Sequence, residues 1–235
     1  MAERFDLWVY LSASPLLWLT LTLAVWLLVD AIVQAVGRNP LANPVLISIL
    51  LVAALLVATG TPYATYFAGA QFIHFLLGPA TVALAVPLVR HWPIVRENLL
   101  PMLAALGVGS VVAVGSAVGL AVLFGLPEGV VTAIAPKSVT AGVAMAITSS
   151  FGGDPALTAV LVISTGVIGA VIVTPLMNAM GIRDYTARGF AVGLASHGIG
   201  TARAFTVDPV AGLFAGIAMG LNAVVTALIV PLLLR

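Results

Sequence analysis

Cysteine is absent from the 235 residues. That excludes disulfides, thiolate metal sites and cysteine nucleophiles, and it leaves the redox compartment unread. Charge is nearly absent as well. There are nine basic and eight acidic residues, where a soluble domain of this length would carry roughly 59 charged residues. So few charges cannot cover a water-soluble globule. The net charge of +1, with no basic run, gives no field to steer nucleic acid, and no nucleic-acid partner is expected. Disorder needs low hydrophobicity and high net charge, and this chain is 62% hydrophobic. The patterns H-E-x-x-H, G-x-S-x-G and Walker A are missing, and three histidines with a few loop acids form no metal constellation. Neither an enzyme nor a cofactor or metal site is expected, and no catalytic residue is assigned. The first six residues carry no basic n-region, so no removable signal peptide is expected.

What is present is apolar length. About 20 apolar residues cross a bilayer as a helix, and polar punctuation divides the chain into eight apolar segments. They cover residues 14–36, 44–58, 63–89, 99–124, 127–150, 156–180, 185–205 and 209–234. Three are broken. The third is interrupted at Gly78-Pro79, the fifth at Ala135-Pro136-Lys137-Ser138, and the seventh at Ser196-His197-Gly198-Ile199-Gly200. In lipid such breaks are tolerated where they face protein or a water-filled cavity.

Loop arginines orient the segments. Arg38, Arg90, Arg96, Arg183, Arg188 and Arg235 fall on one side only if the fifth segment enters and leaves on the same face. The expected fold is therefore an all-α polytopic membrane protein of about seven transmembrane helices plus a re-entrant hairpin. The N-terminus is expected outside and the C-terminus inside. Segments two to four and six to eight then form triplets of opposite orientation, each with a broken middle member, the inverted-repeat pattern of secondary transporters. The chain reads as one domain: a peripheral first span (1–40), repeat one (44–124), a re-entrant hairpin (127–151) and repeat two (155–235).

Ionisable groups inside membrane segments tend to face a cavity or a partner. Lys137 follows Pro136, which breaks the helix. With the Ser138 and Thr140 hydroxyls and the helix start beyond, it forms a candidate anion site. The alternative is a lysine snorkelling from a hairpin tip to the interface. In the seventh segment Gly198 and Gly200 permit unwound backbone around His197. The Thr201 hydroxyl and the Arg203 guanidinium would read a carboxylate, and the imidazole would link binding to a proton. The alternative there is a structural histidine and an Arg203–Asp208 pair at the membrane edge. Gly78, Pro79 and Thr81 form the uncharged counterpart break. Asn178 and Asn222 read as amides that bridge helices.

The strings Gly78-Pro79-Ala80-Thr81, Pro136-Lys137-Ser138-Val139-Thr140, Ser164-Thr165-Gly166 and Ser196-His197-Gly198-Ile199-Gly200-Thr201-Ala202-Arg203 carry a family likeness. From about Asn43 to the end the chain resembles the LrgB/CidB family, the antiholin-like or murein-hydrolase-regulator proteins. The resemblance implies a multi-pass protein of the bacterial inner (plasma) membrane with a small LrgA/CidA-like membrane protein as partner. It implies two functions. One is antiholin-like or pore-type control of murein hydrolase export and cell lysis. The other, through plastid relatives, is secondary transport of a small monocarboxylate such as glycolate, glycerate or pyruvate, with a proton as the candidate coupling ion. The charged breaks favour the transporter. A lipid-embedded homo-oligomer, a dimer, taking a small carboxylate substrate is the expectation.

Overall fold

The computed structural model describes residues 14–37, 42–76, 79, 82–83 and 85–234. Among these residues every regular element is an α-helix. Among the described residues, four helices are long and apolar enough to cross a membrane. The chain divides into two compact units, Met1–Ala83 and Leu84–Arg235.

The first unit holds α1 (Pro15–Ala35), α2 (Pro44–Thr59) and α3 (Tyr63–Phe75). Proline at the first position of α2 needs no amide partner, and the Asn43 carboxamide oxygen accepts from the Val45 and Leu46 amides. Trp18 is fully buried and meets Tyr66 edge-on, with ring centroids 6.0 Å apart.

The second unit begins with two short helices, α4 (Ala85–Arg90) and α5 (Trp92–Glu97). It continues with α6 (Leu99–Leu123), α7 (Glu128–Ile134), α8 (Ala141–Ser150), α9 (Pro155–Ala179), α10 (Tyr185–Val207) and α11 (Pro209–Leu233). Asp154 and Asp208 cap α9 and α11, each just before a proline, and Asp184 caps α10. Each carboxylate satisfies amides that have no partner inside the helix.

The fifth segment is the pair α7 and α8, joined by the turn at residues 135–140. A Cβ on Gly153 would meet Thr132 at 2.9 Å and Thr148 at 2.7 Å. The end of the returning arm therefore lies beside the outgoing arm, and the pair forms a helical hairpin.

The seventh segment differs from the single crossing expected of residues 185–205. α10 contains one non-helical residue, His197, at φ 42° and ψ −135°. There the chain folds back. Gly189 lies against the backbone of Ala211 and Gly193 against that of Ala215, while Phe205 packs on Gly212. The arm at 185–196 thus runs alongside the start of α11, and the arm at 198–207 returns to that same end. A Cβ on Gly200 would lie 3.1 Å from the Val192 carbonyl oxygen, a contact that a straight helix rising 1.5 Å per residue forbids. α10 is a second helical hairpin. Two reversals instead of one change the parity, so α11 ends at the opposite end of the unit from Arg188. The C-terminal residues lie at that far end, contrary to the expectation that they share a face with the arginine loops.

The two hairpins point at each other. The first stands beside the start of α9, where the Thr158 and Thr148 hydroxyls are 2.9 Å apart. The second stands beside its end, where Arg188 donates to the Thr174 carbonyl and the Asn178 side chain. Their tips meet at the middle of α9. Val162 packs with Val139 of the first tip, and Gly166 faces the His197 ring of the second. Apolar clusters flank this level on both sides. One joins Met102, Leu106, Phe190, Leu194 and Phe214, and the other joins Val114, Ala135 and Val230.

Candidate functional site

The first tip is Ala135-Pro136-Lys137-Ser138-Val139-Thr140. Pro136, Ser138 and Val139 are buried, and Lys137 and Thr140 are half-buried. The Lys137 Nζ reaches the Ser138 hydroxyl at 3.4 Å. Among the described residues no carboxylate pairs with it. Thr140 stands at the start of α8, but its side chain does not cap the helix. The first amides of α8 therefore face the tip with the positive end of the helix dipole behind them.

The second tip is built around a strained residue. At φ 42° a side chain crowds the backbone, and positions of this kind cost about 1–3 kcal/mol unless the surroundings hold them. His197 is 4% exposed, and its Nε2 lies 2.9 Å from the Val162 carbonyl oxygen. A carbonyl only accepts, so Nε2 carries the proton and donates, and Nδ1 is the acceptor of the neutral ring. Gly166 makes room, since a Cβ there would sit 2.7 Å from the imidazole. The Thr201 hydroxyl donates to the His197 carbonyl at 2.7 Å. Gly198 opens onto the Met219 sulfur, and Gly200 fits against Ser196 and Val192.

The structure thus brings Lys137, Ser138 and Thr140 to one tip and His197, Gly198, Gly200 and Thr201 to the tip that opposes it. Arg203 is elsewhere. It lies beyond the tip, toward the base of the second hairpin, in a small cavity shared with Arg188, Tyr185 and Thr174. Its Nη1 donates to the Thr206 hydroxyl at 3.3 Å. Six residues of helix, about 9 Å of rise, separate it from His197. Asp208 accepts from the Val210 and Ala211 amides, so its carboxylate serves the start of α11. Pro79 is exposed, and Gly78 and Thr81 lie outside the described residues.

One residue read as a helix bridge is central. Asn222 is fully buried at the middle of α11. Its Nδ2 donates to the Ser138 carbonyl at 3.3 Å and to the Leu194 carbonyl at 3.0 Å. Its Oδ1 accepts from the Ser110 hydroxyl at 2.7 Å and the Thr226 hydroxyl at 3.3 Å. The four bonds link both hairpins to α6 and α11.

Comparison with known proteins gives a consistent picture. The model of the LrgB-like family matches residues 22–235. The holin-like protein CidB of Staphylococcus epidermidis is 30% identical over 225 residues, 96% of this chain and 97% of CidB. Two uncharacterized proteins of Bacillus subtilis are also similar. YxaC is 35% identical, covering 90% of this chain and 92% of its own length, and YwbG is 33% identical, covering 92% and 96%. No solved structure matches.

Proposed function

This chain belongs to the LrgB-like family, and on that premise we propose that it is a holin-like membrane protein of the CidB kind. It acts in the bacterial plasma membrane with a small LrgA/CidA-type membrane protein, in the control of murein hydrolase release. The identity to CidB across nearly the whole of both chains supports this reading.

A second reading is favoured by one observation, the Lys137 ammonium, which among the described residues has no carboxylate partner, where two opposed hairpins meet. On this reading the chain is a secondary transporter of a small monocarboxylate such as glycolate, glycerate or pyruvate. An ammonium inside an apolar segment is costly without an anion. Two hairpins that enter from opposite faces supply two gates around one central site, the arrangement that inverted repeats give to carriers. On this view the inverted units are hairpin plus helix, α7–α9 and α10–α11, in place of the triplets drawn from segment order. Lys137 and the α8 amides hold the carboxylate, the Ser138 and Thr201 hydroxyls read its 2-oxygen, and His197 links the cycle to a proton. The two readings join if lysis control follows from carboxylate or proton balance.

Proteoliposomes containing the purified chain separate them. Saturable uptake of labelled glycolate or pyruvate, weakened about 30-fold or more in affinity by Lys137→Gln, supports the carrier. Size-limited leakage of unrelated dyes, without saturable uptake, rejects the carrier and leaves the pore-type regulator.

A further inference from the structure

The residues around Asn222 carry a consequence for how the two hairpins move. We propose that Asn222 is a positioning residue that latches both hairpin tips to α11, so that neither tip leaves the closed centre without breaking a bond to the same amide. The inference rests on the carrier reading, which needs the hairpins as gates.

A carboxamide has two N–H groups. Here one goes to the Ser138 carbonyl of the first tip and the other to the Leu194 carbonyl beside the second. Both acceptors are backbone groups at breaks. Leu194 would ordinarily accept from the amide of residue 198, which lies beyond the reversal at His197. The Ser138 carbonyl belongs to the turn between α7 and α8. Asn222 therefore takes up bonding capacity that the two breaks set free, and a buried carbonyl left without a donor is costly.

The amide is also fixed in its orientation. Ser110 and Thr226 donate to Oδ1. Turning the amide over would set its oxygen against two carbonyl oxygens and its N–H groups against two hydroxyls. Ser110 comes from α6, which belongs to neither hairpin, so the latch is anchored on helices outside the moving parts. Buried networks of this kind polarise one another and rigidify the unit that contains them. When one tip leaves, one N–H loses its acceptor while the other bond holds the opposite tip in place. That asymmetry is what a carrier needs if its two gates are never to open together.

The absence of native cysteine makes the test direct. Single reporters are placed on each tip as Ala141→Cys and Ile199→Cys. Their reaction with a membrane-impermeant maleimide is followed in vesicles of both orientations, each reporter from the face of its own hairpin base. Asn222→Leu keeps the branched outline of the side chain and removes both donors. It should raise the labelling rates of both reporters together by about 2- to 12-fold, the factor that one hydrogen bond per tip represents. Ser110→Ala keeps the amide but frees its oxygen, and it should raise both rates by a smaller factor. If Asn222→Leu is not recovered from the membrane, Ser110→Ala and Thr226→Val carry the test. Unchanged rates at both tips, or a change at one tip alone, overturn the latch. The labelling requires no substrate. Absence of saturable uptake in the unsubstituted chain therefore rejects the carrier reading on its own, while the labelling pattern decides the latch.

Discussion

Replacing His197 by glycine and by alanine separates the strain of the second tip from the chemistry of its ring. In the interior of a helix, glycine is less stable than alanine by roughly 0.5–1 kcal/mol because it surrenders more backbone freedom. At position 197 the sign should reverse. The backbone stands at φ 42° and ψ −135°, a region that glycine enters freely and a side chain enters at about 1–3 kcal/mol. Both variants lose the same bond to the Val162 carbonyl and open the same space opposite Gly166. Those terms cancel in the comparison, and the backbone term is left. The His197→Gly variant should therefore be more stable than His197→Ala by about 1–3 kcal/mol, roughly 5- to 150-fold in the folded ratio. For a chain of this size each kcal/mol shifts the midpoint by roughly 2–4 °C, so thermal unfolding in detergent should show an offset of about 2–12 °C. Ala191→Gly, inside the first arm of α10, is the control and should be destabilising. A His197→Ala variant that melts at or above His197→Gly would refute the reasoning, because it would mean that residue 197 is not held in the left-handed region.

Three further outcomes follow from the packing and the caps. Gly189→Ala and Gly193→Ala set a Cβ into the backbone of α11 at Ala211 and Ala215, and each should destabilise by about 3 kcal/mol or more; Gly107→Ala and Gly119→Ala, which meet nothing within 4 Å, should be neutral or stabilising, as thermal unfolding of the four variants checks. Cysteines at Gly181 and Val207 should be labelled from one face of the membrane and a cysteine at the exposed Ser150 from the other; labelling of positions 181 and 207 from opposite faces would restore a single crossing for α10. The Thr186 hydroxyl, with the Thr186 and Ala187 amides, holds the Asp184 carboxyl below the ordinary carboxylate range, so its stabilising effect is full above the unfolded pKa of about 3.9 and is lost as pH falls through the lower folded value. Asp184→Ala should cost about 0.5–2 kcal/mol near neutral pH, and the gap in unfolding temperature between it and the unsubstituted chain should close in acid.

The breaks were legible because proline, glycine and buried charge are rare signals in apolar sequence. Pro136-Lys137 marked the first tip, and Ser196-His197-Gly198-Ile199-Gly200 marked the second. The direction taken after the second break was not legible. Residues 185–205 have the length of a span, and hydropathy does not distinguish a helix that continues from one that returns. One signal was present. Arg188 and Arg203 stand near the two ends of a single apolar segment, which a crossing would place on opposite faces and a hairpin places on one. Arg203, read as reaching the central crevice, lies six residues past the break, about 9 Å along the helix, and the return of the second arm carries it to the cavity beside Arg188. That Asn222 bridges helices was legible; which groups it joins was not, because three of its four partners lie 112, 84 and 28 residues away in sequence and only the tertiary fold brings them together.

The arrangement of polar groups bears on the choice between a pore and a gated path. In lipid, a polar side chain is stabilising only when its partners come with it. Around Asn222 every hydrogen-bonding group of the amide is matched by the protein itself, and the surrounding layer of Ser110, Ser138, Thr201 and Thr226 is buried. A water-filled pore would leave such groups to be solvated and would not need them paired. Lys137 is the exception within the same layer, because the protein supplies it with a neighbouring hydroxyl but, among the described residues, no counter-charge. On the carrier reading, that cation is where an arriving anion would be neutralised, and its arrival would be tied to the state of the two tips. On that same reading, control of lysis would act through what crosses at this site; on the holin-like reading, the paired layer around Asn222 holds the two hairpins together and the size of the opening decides.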